Sequence, residues 1–407
     1  MSPARSSSSF LRRRLPAGLA LLLAAAWLLT GTGCLSFKRE APRPGLTTFG
    51  TPLVVLPAAT LGNYLVIEAK WDRYGPYRFL IDTGSSVTLV STELARRYPV
   101  KYTPATTAPQ MRVKSAEGEI ALLATTTLRR LDLGDVRFDD VPALMYDCAP
   151  LSAHLGVKID GILGFPLFRD TVLTLDYPHS RVLLSPSRTA PLLPGSTIPF
   201  NNANKTPLIP ISMGDTPFIA LIDSGSDAPL SLNPVGLQPK FAVAPRPGPT
   251  VGTLTGDRTQ QLGRLADSLK IGTYALQSPL VEMTDELSAI GAAILKNFTI
   301  TFDQKRNQVT FYRETADPIA FPPHRTTGLS FNKAPAYWRV VGIVPGSPAT
   351  GRISSGDLVT RINGEPVERW DFKRYGQLIA NADDIVFTLL NGSREHDERL
   401  KVYELVP

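Results

Sequence analysis

The chain has 407 residues, of which 43% are hydrophobic, 19% charged and 8% aromatic, and its formal net charge is +7. This composition excludes a disordered chain and a membrane-embedded one, and the length leaves room for two or three domains. Frequent proline and glycine, 36 and 31 residues, favour a loop-rich, largely β protein over a helical one.

The N-terminus carries Arg12, Arg13 and Arg14, then an uncharged apolar run from Leu15 to Leu29, then "TGTGC" ending at Cys34. That is the layout of an export signal. Small residues before a cysteine resemble the lipobox of bacterial lipoproteins, which implies removal of residues 1–33 and lipidation of the Cys34 thiol. The position three before the cysteine is Gly31, where that pattern has leucine. An uncleaved membrane anchor is the alternative, although the run is short for a span. Either way the rest of the chain is expected outside the cytoplasm, membrane-anchored on the periplasmic side of the cell envelope. Loss of the leader removes four arginines and no acid, so +7 becomes +3, a balance that gives no case for nucleic-acid binding. With Cys34 lipidated, Cys148 has no partner for an intramolecular disulfide and reads as a small buried residue.

Residues 34–50 read as a polar, proline-containing tether. Beyond them come short strands with turn signals. "YLVIEAKW" and "YRFLID" flank a predicted turn at Arg73-Tyr74-Gly75-Pro76, a hairpin that delivers Asp82 at its end. "STELARRY" (91–98) then opens with a helix N-cap signal.

The same order repeats. "LIPISMGDTPFIALIDSGSDAPL" restates strand, turn, strand and motif, and places Asp223 where Asp82 was, an offset of 141. "VKSAEGEIALLATTTLRRLDLG" (113–134) aligns without gaps on "VGTLTGDRTQQLGRLADSLKIG" (251–272) at an offset of 138. "GILGFPLFRDTVLTLDYPHSRVLL" (161–184) matches "SAIGAAILKNFTITFDQKRNQVTF" (288–311) at an offset of 127, so that Gly164 meets Gly291 and Asp176 meets Asp303. Three blocks in one order predict duplicated lobes, residues 51–190 and 191–313, with "SPSRTAPLLPGSTIP" (185–199) connecting them. A second linker at 313–327 precedes a separate module, residues 326–407. It has alternating strands, "YWRVVGIV" and "DIVFTLL", and one helix-like segment, "DFKRYGQLIA".

A single Asp-Thr-Gly is an ordinary turn after a strand. Two such turns, Asp-Thr-Gly in one lobe and Asp-Ser-Gly in the other, can bring Asp82 and Asp223 face to face across a pseudo-twofold axis. Paired carboxylates cannot both ionise easily, so they hold one proton between them and offer a general base and a general acid in one site. One carboxylate would deprotonate a water that attacks an amide carbonyl, while the other carboxyl protonates the oxygen and assists the leaving nitrogen. No metal, cofactor or covalent intermediate is needed. Gly84 and Gly225 would let the two turns approach, since a Cβ there would collide across the axis. The hydroxyls of Thr83 and Ser224 suit cross-lobe hydrogen bonds beneath the pair, and those of Ser85 and Ser226 could bond the carboxylates directly.

"IDTGSS" and "IDSGSD", each followed by a hydrophobic-hydrophobic-Gly element ("ILG" at 162–164, "AIG" at 289–291), resemble the pepsin and retropepsin aspartic peptidases over residues 50 to 313. The resemblance implies a mainly β, bilobal acid-protease fold, activity on polypeptides as a monomer, and a β-hairpin flap over the substrate. The matching hairpins have predicted tips at Glu117-Gly118 and Thr255-Gly256. Neither tip carries the aromatic residue of pepsin-like enzymes, which brings the flaps closer to retropepsins. Asp227 stands where the first lobe has Ser86, and there it could raise the pair's pKa or point to solvent.

The C-terminal module resembles a PDZ domain of bacterial envelope proteases through "TGLSF" (327–331) and "VPGSPATGRISSGDLVTRINGEPV". That implies a loop at Gly328, Leu329, Ser330 and Phe331 whose backbone N–H groups receive a C-terminal carboxylate as the peptide adds a strand. A spacer with a blocked groove is the alternative. Rival sites are thin. The chain contains no H-E-x-x-H, G-x-S-x-G or phosphate loop, and Cys148 with His154 lacks an orienting partner for a cysteine nucleophile. A catalytically silent envelope protein, binding peptides through the cleft and the PDZ groove, is the competing function.

Overall fold

The computed structural model describes residues 45–98, 109–115, 118–187, 194–253 and 256–407. The expected signal, Cys34, residues 35–44 of the tether, Glu117 and Thr255 lie outside them.

The described chain is mainly β. Each lobe is a sheet of the same strand order. In the first lobe the order is Gln110–Lys114, Ile120–Leu133, Val136–Tyr146, Thr88–Ser91, Gly161–Gly164, Tyr74–Asp82, Tyr64–Trp71. The second repeats it as Phe241–Gly252, Asp257–Leu265, Leu280–Met283, Leu230–Leu232, Ala289–Gly291, Thr216–Asp223, Leu208–Met213. The repeat extends to register. Asp82 pairs in parallel with Gly164, and Asp223 pairs in parallel with Gly291. A Cβ on either glycine would lie 2.2 Å from Val87 O or 2.1 Å from Ala228 O, so only glycine lets these strands close.

Six strands join the lobes, in the order Ser196–Pro199, Gln308–Tyr312, Thr299–Asp303, Thr171–Asp176, Arg181–Pro186, Val54–Leu61. The central pair is antiparallel, with Thr174 opposite Thr301 and their hydroxyls 2.9 Å apart. Alternate residues of these strands, such as Leu173, Leu175, Ile300 and Phe302, are fully buried and enter one apolar core shared by both lobes. Phe165 packs edge-on against Phe302, with ring centroids 5.4 Å apart.

Three sequence expectations shift locally. The predicted turn at 73–76 sits at Asp72 and Arg73, both with positive φ (47° and 73°), and the next strand starts at Tyr74. Two left-handed residues match the twist of the flanking strands, so the hairpin closes there and Gly75-Pro76 falls inside the strand. The tether ends early, because Thr47–Phe49 pairs with Val136–Phe138 along an otherwise open strand edge. The connection 185–199 likewise contributes Ser196–Pro199 to the joining sheet. In the helix Thr92–Arg97, Ser91 is the N-cap, its Oγ accepting from Leu94 N at 3.1 Å.

The C-terminal module has its own core around Phe331, Trp338, Val340, Ile385 and Phe387. Its strands run Leu329–Lys333, Trp338–Ile343, Leu358–Ile362, Asp384–Asn391, Arg394–Lys401, with the helix Phe372–Asn381 laid against them through Tyr375. It is not a free appendage. Leu262 of the second lobe clusters with Val344, Leu405 and Val406. The Arg264 guanidinium donates to Ser278 O, Phe321 O, Pro322 O and Pro407 O at 2.5 to 3.1 Å.

Candidate active site

Asp82 and Asp223 each end a buried strand, and the turn that follows carries the carboxylate toward its counterpart. Thr83 and Ser224 are fully buried between them and exchange four hydrogen bonds. Thr83 Oγ1 donates to Ile222 O (2.7 Å) and accepts from Ser224 N (3.0 Å). Ser224 Oγ donates to Ile81 O (2.9 Å) and accepts from Thr83 N (3.0 Å). Each hydroxyl therefore satisfies two backbone groups of the other lobe that would otherwise be buried unpaired.

The glycines behave as their spacing predicts. A Cβ on Gly84 would lie 2.5 Å from Asp223 Cγ, and one on Gly225 would lie 2.3 Å from Asp82 Cγ. The two carboxylates thus rest on the backbone of each other's turn. Ser85 N donates to Asp82 Oδ1 at 3.0 Å and Gly225 N to Asp223 Oδ1 at 2.8 Å. The expected bonds from the serine hydroxyls are replaced by local ones. Ser85 Oγ donates to Val87 O at 2.7 Å, and Ser226 Oγ accepts from Ala228 N at 3.3 Å. Serine hydroxyls close tight turns on nearby backbone groups, which leaves the N–H groups to hold the acids.

Burial, then the charge of Asp223 and a hydrogen bond with it, push the Asp82 carboxyl well above the usual carboxylate range, against the pull of the Gly84 and Ser85 N–H groups. A pair so placed titrates as one unit with a shared proton. Tyr177, 6% exposed, lies close enough for both aspartates to raise its phenol further after burial has done so.

Asp227 does not turn to solvent. It lines the cleft with the pair, its carbonyl accepting from Asn63 Nδ2 at 3.1 Å. Burial raises its carboxyl, and His154, Arg258 and the Tyr64 hydroxyl partly offset that. Tyr64, 7% exposed, is raised well by burial and by Asp227.

The cleft between the lobes has a cavity of about 490 Å³. Of the predicted hairpin tips, Gly118 and Gly256 are described, with φ of 84° and 148°. The first hairpin crosses toward the second lobe, where Lys114 Nζ bonds Glu286 Oε2 at 2.7 Å. The second is braced from outside. His154 lies against Gly252, and Thr250 N donates to Ser330 Oγ at 2.9 Å. Gly328 has φ of 90°, while Leu329, Ser330 and Phe331 are 6%, 8% and 5% exposed, so the expected carboxylate loop opens a strand set against the lobes. Gly156 reaches the same strand, a Cβ there meeting Lys333 Cδ at 3.0 Å. Cys148 is buried and its thiol pushed up to about 12, chiefly by burial, which disfavours a thiolate nucleophile.

Sequence reasoning passed over Tyr64, Tyr177, Lys114, Glu286 and the group Arg258, Gln260 and Glu282. Arg258 and Gln260 were visible in the repeat, where they stand against the apolar run 120–123 of the first lobe, while Glu282 lies between the repeated blocks.

No curated protein matches the chain. Residues 67–167 match the family model for aspartyl protease, a segment that holds Asp82, the first hairpin and Gly164 and marks an aspartyl protease-like domain within the first lobe.

Proposed function

We propose that the chain is an aspartic endopeptidase whose two catalytic carboxylates, Asp82 and Asp223, come from duplicated lobes of one polypeptide. The observation that carries this reading is the reciprocal seating of each carboxylate on the other turn's glycine, above the four-bond Thr83–Ser224 lock. The shared proton makes one carboxylate the base that takes a proton from water and the other the acid that protonates the amide oxygen; as the gem-diol collapses, a hydroxyl proton returns to the acid and the proton taken from water passes to the leaving nitrogen. Backbone N–H groups of Ser85 and Gly225 hold each acid in place while the proton moves.

The C-terminal module, on this proposal, is a PDZ-type domain that receives the same polypeptides or a partner's C-terminus. The strand Leu329–Lys333 followed by the helix Phe372–Asn381 supports it. The export layout of the N-terminus supports a membrane-anchored protein of the cell envelope. The test is cleavage of an unfolded protein by the wild type, Asp82→Asn and Asp223→Asn. Both variants lose activity if the pair works as a unit, and retention in either rules out a shared dyad. A folded wild type that cuts nothing yet binds peptides would make the chain a silent binding protein.

A further inference from the structure

The two halves of the cleft have the same backbone and different chemistry. On the first lobe's side Leu89, Val113 and Ile162 face the cavity. On the second lobe's side Ser231, Arg258, Gln260 and Glu282 face it. Glu282 is 0% exposed, and both of its carboxylate oxygens are occupied. Arg258 Nη1 holds Oε1, and Gln260 Nε2 donates to Oε2 at 3.0 Å. The Arg258 side chain keeps 37% of its surface exposed.

The internal symmetry supplies the comparison. Val251 stands opposite Arg258 as Val113 stands opposite Ala121, so that two residues further along the strand Gln260 takes the place of Leu123. Glu282 pairs with Ser231 as Leu144 pairs with Leu89, and Ser231 and Leu89 hold equivalent places beside Ala289 and Ile162, each two residues before the glycine that pairs with the aspartate. An apolar trio therefore serves the same fold in one lobe. A buried ion pair is a poor way to stabilise such a site, because desolvation takes back most of the attraction, so stability does not explain its presence. Its chemistry does. Glu282 has no oxygen left for a substrate, and what the group presents to the cavity is a guanidinium held rigid by a buried anchor. A guanidinium has only donors to offer, in a planar fork that fits a carboxylate or a carboxamide oxygen.

An extended polypeptide turns successive side chains to opposite sides, so the two residues flanking the scissile bond face opposite lobes. We propose that Arg258, positioned by Glu282 and Gln260, is a specificity-determining residue, and that the preferred substrate bears an apolar side chain toward the first lobe and an oxygen-bearing polar one (Glu, Asp, Gln or Asn) toward the second. The inference rests on the peptidase reading above. It adds which bonds are cut.

The test compares peptides that share an apolar residue on one side of the bond and carry Glu, Gln or Leu on the other. For the wild type, kcat/KM with Glu or Gln exceeds that with Leu at least about 10-fold, as expected where a site built for hydrogen bonding meets a side chain that makes none. Glu faster than Gln identifies a carboxylate as the ligand, and parity identifies the oxygen they share. Either outcome upholds the proposal. In the triple variant Arg258→Ala/Gln260→Leu/Glu282→Leu, which copies Ala121, Leu123 and Leu144 of the first lobe, the preference passes to Leu. Arg258→Lys, which keeps the charge and loses the fork, lowers the ratio of kcat/KM for Glu and Gln peptides to that for Leu peptides; it decides the matter if the triple variant does not fold. Equal rates for Leu, Glu and Gln in the wild type, or an unchanged profile in the folded variants, overturn the specificity role alone. A wild type that cuts none of the peptides, like Asp82→Asn, overturns the peptidase reading instead.

Discussion

Thr83→Val removes one hydroxyl and keeps nearly the same shape, and it isolates the lock beneath the two carboxylates. The hydroxyl makes two bonds, to Ile222 O and from Ser224 N, at a residue with no solvent exposure. Valine leaves a backbone carbonyl and a backbone N–H buried and unpaired, each costing about 1–3 kcal/mol, so the expected loss is about 2–6 kcal/mol. Thr83→Ser keeps both bonds and loses one methyl group, a cost of about 1 kcal/mol. Ser224→Ala breaks the mirror pair of bonds and should cost about as much as Thr83→Val. Urea unfolding measures all three, read as a shift in midpoint at constant slope. Because the same bonds align the carboxylates, a relaxation of about 1 Å in Thr83→Val should also lower kcat/KM about 100-fold, with Thr83→Ser near wild type. If Thr83→Val lies within about 0.5 kcal/mol of Thr83→Ser, the hydroxyl does not hold the lobes together and the argument fails.

Gly84→Ala places a Cβ 2.5 Å from Asp223 Cγ and must move that carboxylate by about 1 Å, for a loss of about 100-fold in kcat/KM, whereas Gly376→Ala, in a helix with open space around it, keeps full activity; equal activities contradict the packing. Asp227, raised by burial, keeps its proton above its unfolded range of about 3.9, so it stabilises the fold at low pH and that contribution is lost as pH rises through the folded value. Asp227→Asn should accordingly melt above the wild type at about pH 7.5 and with it at about pH 3, and a gap that does not change with pH would refute this. Arg264→Ala removes the partner of Phe321 O and Pro322 O in the linker, of Pro407 O and of Ser278 O, so calorimetry should resolve a separate transition for the C-terminal module, and a single sharp transition would show that the apolar contacts suffice.

The duplication was legible because its marks are residues that geometry does not allow to vary freely. Gly164 and Gly291 admit no Cβ, and Asp82 and Asp223 share one register with them. Side-chain hydrogen bonds were harder to read, since a serine beside an aspartate has backbone partners just as near, and Ser85 takes Val87 O. The turn at Asp72-Arg73 lacked the usual glycine, which drew the expectation to Gly75-Pro76. Contacts between the C-terminal module and the second hairpin left no local pattern at all. Thr250 and Ser330 are 80 residues apart, and neither strand's alternation says what lies on its outer face.

The strand Thr171–Asp176 lies at the centre of the joining sheet, yet its neighbour Thr299–Asp303 follows more than a hundred residues later in the chain. During synthesis the first lobe can therefore be complete while this strand is still an open edge, with Leu173 and Leu175 uncovered by the partner that later buries them. An open, apolar edge is a template for any other strand that arrives first, including the same one from a second nascent chain. The interval between translating residue 176 and residue 303 is thus the hazardous stage of this protein's biogenesis, and a fragment ending at residue 190 should associate with itself through that edge.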